Sequence, residues 1–102
     1  MPDFDYTHID DVIHSRIRTS IMAVLVSVEE AEFTYLKEKV NATDGNLSAH
    51  IKKLEDAGYV SVKKIFIERK PISKYKITNK GYKAFDNYIK KLESIVKNNF
   101  KN

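Results

Sequence analysis

A chain of 102 residues with 42% hydrophobic and 31% charged content suffices for one domain around a single core and is too short for two. The absence of cysteine excludes disulfides, thiolate metal sites and cysteine nucleophiles together, and no apolar run approaches the roughly 18 to 20 residues that span a bilayer. The net charge of +4 conceals two unlike parts, because residues 1–44 carry a net −5 and residues 45–102 a net +9. The N-terminus, MPDFDYTHIDD, is acidic where a signal peptide is basic and then apolar, so a complete, cytoplasmic protein is expected.

In IDDVIHSRIRTSIMAVLVSV the apolar residues Ile9, Ile13, Ile17, Ile21, Met22 and Leu25 recur near helical spacing. Asp10 and Asp11 stand where acids favour a helix N-terminus, which predicts a long first helix. EEAEFTYLKEKV predicts a short strand pairing at Phe33, then a short helix capped by Thr34 with Leu36 and Val40 inward. NATD turns the chain, and Thr43 is the expected cap of a third helix over about 44–57. Its Leu47, Ile51 and Leu54 follow i, i+4, i+7 spacing, and Gly58 is the expected left-handed stop.

Past Gly58 the period becomes alternating, predicting a hairpin with strands near 60–67 and 72–78 around the polar break Glu68, Arg69, Lys70 and Pro71. Proline cannot donate to a ladder, so Pro71 belongs in the loop or on an edge. Thr78 caps a last helix over 79–99, in which Tyr82, Phe85, Ile89, Leu92 and Val96 form a heptad seam that Tyr88 and Ile95 widen. The predicted class is mostly α with a small β-hairpin (α+β), in the order α-(short β)-α-α-β-β-α. A helix-turn-helix followed by a charged hairpin is the winged-helix plan.

Three segments carry a family resemblance in the same order over residues 10–88: IHSRIRTSIMAVL, TDGNLSAHIKKLEDAGYV and KYKITNKGYKAF. They resemble the first helix, the turn with its recognition helix, and the wing-to-last-helix junction of small prokaryotic winged-helix transcriptional regulators of the MarR and ArsR type. The resemblance implies a dimeric DNA-binding repressor or activator, with the third helix in the major groove and the hairpin as a wing. Ser48, Ala49, His50 and Ile51 resemble the ArsR-type pattern Ser-x-His-Ile, in which a basic residue often stands between Ser and His. Here Ala49 stands there, which moves readout toward neighbouring residues or DNA shape.

The residues support the same reading on their own chemistry. With Leu47, Ile51 and Leu54 inward, Gly45, Asn46, Ser48, Ala49, Lys52 and Lys53 face outward or flank the seam. Asn46 and Ser48 can donate and accept at base edges, and Lys52 and Lys53 can reach phosphates. Residues 60–83 hold eight Lys or Arg against Glu68 alone, a block that seeks polyanions, nucleic acid before an anionic membrane. The wing, about 67–73, offers Arg69 and Lys70 to the backbone or the adjacent minor groove, where the guanidinium is the better fit. Lys74 is either a further phosphate contact or part of the wet sheet face. For each of these positions the plain alternative is a solvated polar surface.

His50 precedes a core position, which favours a partly buried, hydrogen-bonded histidine over a ligand or pH switch. His8, His14 and His50 are scattered, the paired carboxylates are sequence neighbours, and Gly45, Gly58 and Gly81 are too far apart for a phosphate loop. No enzyme, metal or cofactor is expected. The terminal seam has more apolar surface than one small domain covers, so a homodimer is expected, with Tyr82, Phe85, Ile89, Leu92 and Val96 at its interface. Two alternatives carry the same features: a winged-helix protein-interaction module, and a sequence-neutral chromatin architectural protein. Neither the operator nor any small-molecule effector is legible.

Overall fold

Seven elements follow one another in the computed structural model, which describes residues 9–100, with side chains to Lys97. They are α1 (Arg16–Ser27), β1 (Ala31–Glu32), α2 (Phe33–Val40), α3 (Asp44–Asp56), β2 (Val60–Ile67), β3 (Lys70–Ile77) and α4 (Asn79–Phe100). The strands form one antiparallel sheet in the order β1-β3-β2. This is the expected α+β plan, with α1, α2 and α3 packed on one sheet face around Ile21, Met22, Leu36, Leu47, Ile51, Leu54 and Val60.

The start of α1 departs from expectation. Asp10 Oδ1 accepts from the backbone N–H groups of Val12 (2.9 Å) and Ile13 (3.2 Å), closing a separate turn. Ser15 is extended, and its Oγ accepts from Arg18 N at 3.2 Å, so the helix begins only at Arg16. The apolar rhythm runs through the break because Ile9, Val12 and Ile13 pack on the same core as the helix.

The short strand also sits earlier than predicted. Ala31 pairs with Tyr75 and Glu32 with Lys74, while Phe33 already opens α2. Thr34 therefore lies inside the helix, and Glu32 takes the cap position without a side-chain hydrogen bond. In the hairpin β2 has the predicted bounds, but β3 begins at Lys70 and ends at Ile77. Glu68 and Arg69 both adopt left-handed backbone, with φ 51° and 67°, and make a two-residue turn that matches the twist of the strands. Pro71 consequently falls within β3 opposite Phe66. The alternation of an antiparallel ladder puts this pair at a non-hydrogen-bonded position, so the missing N–H costs nothing there.

Helix α3 ends as predicted at Gly58, φ +80°. A tight junction then joins both ends of the hairpin to α4. Thr78 Oγ1 donates to Gly58 O at 2.6 Å and accepts from Gly81 N at 2.9 Å, and Thr78 N donates to Tyr59 O at 3.0 Å. The Tyr59 hydroxyl donates to Asp10 Oδ2 at 2.6 Å; burial and this bond push its pKa up to about 12. The N-terminal turn is thereby tied to the start of β2.

Helix α4 is held by Tyr88, which is buried and whose hydroxyl lies 3.0 Å from His14 Nδ1. Tyr88 thus belongs to the domain's own core rather than to an outer seam. Phe85, Ile89 and Leu92 are half-buried against the same core, while Tyr82 and Val96 are 55% and 53% exposed. The predicted seam is therefore divided between an inner row and an open outer edge.

Candidate nucleic-acid interface

Helix α3 has one face for packing and one for solvent. Thr43 caps it by accepting from Asn46 N at 3.2 Å, and Leu47, Ile51 and Leu54 are buried. Gly45, Asn46, Ser48, Ala49, Lys52 and Lys53 are all exposed, so the structure brings the six predicted positions onto one outward surface. Lys52 is engaged there, its ammonium 2.8 Å from Asp56 one turn later, and this hydrogen bond raises its pKa. Lys37 of α2 reaches Asp44 at 2.8 Å and ties the two helices of the turn together.

His50 joins α3 to α1. Arg18, though charged, is only 9% exposed; its Nε donates to Val12 O and its Nη1 to His50 Nδ1 at 2.7 Å. A guanidinium only donates, so Nδ1 must be the acceptor and the imidazole neutral, with its proton on Nε2. Burial, then the charges of Arg18, Lys53 and Arg16, lower the His50 pKa below its usual 6.5. Among the described residues no buried side-chain nitrogen or oxygen lacks a partner, so the buried arginine is satisfied by these contacts.

The neutral form is favoured by folding, so the contribution of His50 is complete above the unfolded pKa and is lost as pH falls through the lower folded value. His50→Asn keeps an acceptor and removes the titration. Urea denaturation from about pH 8 to about pH 5 is expected to show a steeper loss of stability in the natural protein than in this variant. Parallel pH profiles would contradict the Arg18–His50 assignment.

The hairpin turn carries the second cluster. Lys64, Arg69 and Lys70 are exposed around it, together with Phe66 at 76% and Ile67 at 46%, and Lys63 is exposed farther down β2. Lys74 lies farther back, directly across the ladder from Lys63. It lies five residues from Arg69, roughly 16 Å along a strand, and its ammonium is 3.5 Å from Glu30 in an open groove that Glu32 and Glu38 also line.

Two contributors had no clear signal in the sequence. Arg18 stands in register with the core positions Ile21, Met22 and Leu25, and that placement of a charge within an apolar stripe was the available clue. Phe66 shares a strand face with Val60 and Val62, and only the length of the hairpin reveals that it passes beyond the body.

A family model described as a winged helix DNA-binding domain matches residues 17–96. The chain belongs to that family. It is 48% identical over 87 residues to an uncharacterised protein of Methanocaldococcus jannaschii, covering 85% of this chain and 95% of the relative. A transcriptional regulator homologue from Pyrococcus horikoshii superposes with a TM-score of 0.78 at 27% identity, covering 83% of this chain and 84% of that one. A MarR-family transcriptional regulator from Silicibacter pomeroyi shares the fold, with a TM-score of 0.68 at 17% identity over 88% of this chain and 60% of its own. The resemblance to small winged-helix regulators therefore holds over the whole helix-turn-helix and wing. Among the described residues no helix is long and apolar enough to cross a membrane.

Proposed function

We propose that the protein is a homodimeric, non-enzymatic transcription regulator that binds double-stranded DNA through α3 in the major groove and the β2–β3 turn on the adjacent backbone or minor groove. The observation that carries this reading is the division of α3. Its apolar side is fully buried, while its outer side presents the small, polar and basic residues Gly45, Asn46, Ser48, Ala49, Lys52 and Lys53 next to a cationic hairpin, with the acids Asp44 and Asp56 at the two ends paired to Lys37 and Lys52. Gly45 and Ala49 allow close backbone approach, Asn46 and Ser48 reach base edges, and Lys53 reaches phosphate. Lys52 joins them once DNA phosphate competes for its pairing with Asp56, an exposed interaction that rearranges at little cost. Arg69 and Lys70 serve the wing, with Lys74 further back and shared with Glu30.

The open edge of α4 supports the second half of the proposal. Tyr82 and Val96 bracket the half-buried Phe85, Ile89 and Leu92, and a second copy of the chain would cover all five. A two-fold dimer would set its recognition helices about 34 Å apart, one turn of duplex. Saturable binding to a duplex of about 30 bp at low salt is the expected result, and a protein that ignored duplex DNA there would end this reading.

A further inference from the structure

The tip of the hairpin carries apolar surface that the fold does not use. Phe66 is 76% exposed and pairs directly across the ladder with Pro71, also exposed, while Ile67 beside it is 46% exposed. Side chains alternate along a strand, so Val60, Val62, Lys64 and Phe66 share one face of β2, as do Tyr75, Ser73 and Pro71 on β3. Val60 and Tyr75 enter the core that Leu47, Ile51 and Leu54 of α3 complete. The core-facing row therefore runs past the end of the body, and Phe66 and Pro71 overhang on the side where α3 packs.

The surroundings of this overhang say what covers it. Lys64 shares the strand face of Phe66, Arg69 stands in the turn beyond it, and Lys63 and Lys70 lie on the opposite face of the ribbon, with Glu68 the acid among them. An apolar ring on a ribbon flanked by cations is complementary to a surface that is apolar within and anionic at its rims. The minor groove of a duplex is such a surface, with sugar walls and stacked base edges lying between two rows of phosphates. Its position on the α3 side brings the ring to the duplex that α3 engages. An anionic bilayer would also attract lysines, but one exposed ring on a narrow tip buries little area in it.

We propose that Phe66, backed by Pro71, is an apolar wedge that enters the minor groove beside the half-site and leans into a pyrimidine–purine step, while Arg69 and Lys70 hold the flanking phosphates. Pyrimidine–purine steps unstack most easily, so the wedge makes the protein selective for a deformable step at a position where no hydrogen bond reads a base. The inference rests on the DNA-binding reading above.

The test uses the full chain with Phe66→Ala and Arg69→Ala, on a duplex bearing a fluorescent adenine analogue at the flanking step and a dye pair at its ends. The natural protein is expected to brighten the analogue and shorten the end-to-end distance. Phe66→Ala is expected to lose both signals and about tenfold in affinity while keeping the salt dependence and the melting temperature. Arg69→Ala is expected to lower the salt dependence and keep the brightening. Equal brightening, bending and affinity in Phe66→Ala would overturn the wedge while leaving DNA binding intact. The same holds if the variant instead lost binding to phosphatidylserine vesicles with its duplex binding unchanged. Failure of the natural protein to bind any duplex would overturn both readings.

Discussion

Gly81→Ala is expected to destabilise the protein by about 2 kcal/mol or more, lowering its melting temperature by about 10 °C or more. Helix propensity argues the other way, because alanine inside a helix gains about 1 kcal/mol over glycine and restricts the unfolded chain. Geometry decides the sign. A Cβ at position 81 would lie 2.1 Å from Tyr59 O, 2.8 Å from Tyr59 C and 2.9 Å from Tyr59 Cα, all backbone atoms with no rotamer to escape into. Moving that carbonyl also disturbs its bond from Thr78 N, and Thr78 in turn caps α4 and holds Gly58. The strain therefore reaches α3, the hairpin and the last helix together. Gly45→Ala is the control, since a Cβ there meets nothing within 4 Å, and it should be neutral or mildly stabilising. Thermal and urea melts of the two variants check the account, and a Gly81→Ala protein more stable than the natural one would contradict it.

The second large effect is on affinity. The net +9 of residues 45–102 places exposed cations at Lys52, Lys53, Lys63, Lys64, Arg69 and Lys70. If three or four of them meet phosphates in each protomer, a dimer releases about six to eight counterions, and log K falls against log salt with a slope of roughly −5 to −7. Affinity then drops by about 10³ to 10⁴ between 50 and 200 mM salt. Arg69→Ala should reduce the slope by about one per protomer and leave the melting temperature unchanged, because the side chain is exposed at the hairpin turn. Fluorescence anisotropy at stepped salt measures both slopes. A slope near zero would remove phosphate contact from the account, and an unchanged slope in Arg69→Ala would remove Arg69 from the interface.

What could be read from the sequence was what local chemistry determines. Thr43, the spacing of Leu47, Ile51 and Leu54, and Gly58 define α3 by cap, packing face and stop, and each lies within or beside the helix it controls. The strand β2 followed from alternation in the same way. The early start assigned to α1 shows the limit of periodicity. Ile9 and Val12 pack on the core from a turn, so the apolar rhythm continues across the break that Ser15 makes. The two residues of β1 exist through pairing with Tyr75 and Lys74, partners more than forty positions away that no local pattern announces. The hairpin turn was misplaced because Glu68-Arg69 lacks the glycine or asparagine usual at two left-handed positions, and Pro71 drew the loop toward itself.

The exposure of the candidate interface residues was legible, and their arrangement less so. The contact of Arg18 with His50 spans 32 positions and turns a charge and a histidine into one buried joint. Likewise Lys74 looked equivalent to its neighbours in a basic run, yet Glu30 holds it at the base of the sheet. Tyr88 counted as one more residue of an apolar seam, and packing turned it inward while leaving Tyr82 and Val96 outside. In each case the deciding partner is remote in sequence, so composition supplied the chemistry and the fold supplied the neighbour.

The measurement that bears most directly on a dimeric, sequence-reading regulator is selection of bound sequences from a random duplex pool by the full protein. The expected result is enrichment of near-palindromic sites, two half-sites about one helical turn apart, with a deformable step flanking each. A retained pool indistinguishable from the starting one, or no retained duplex at all, would contradict the account.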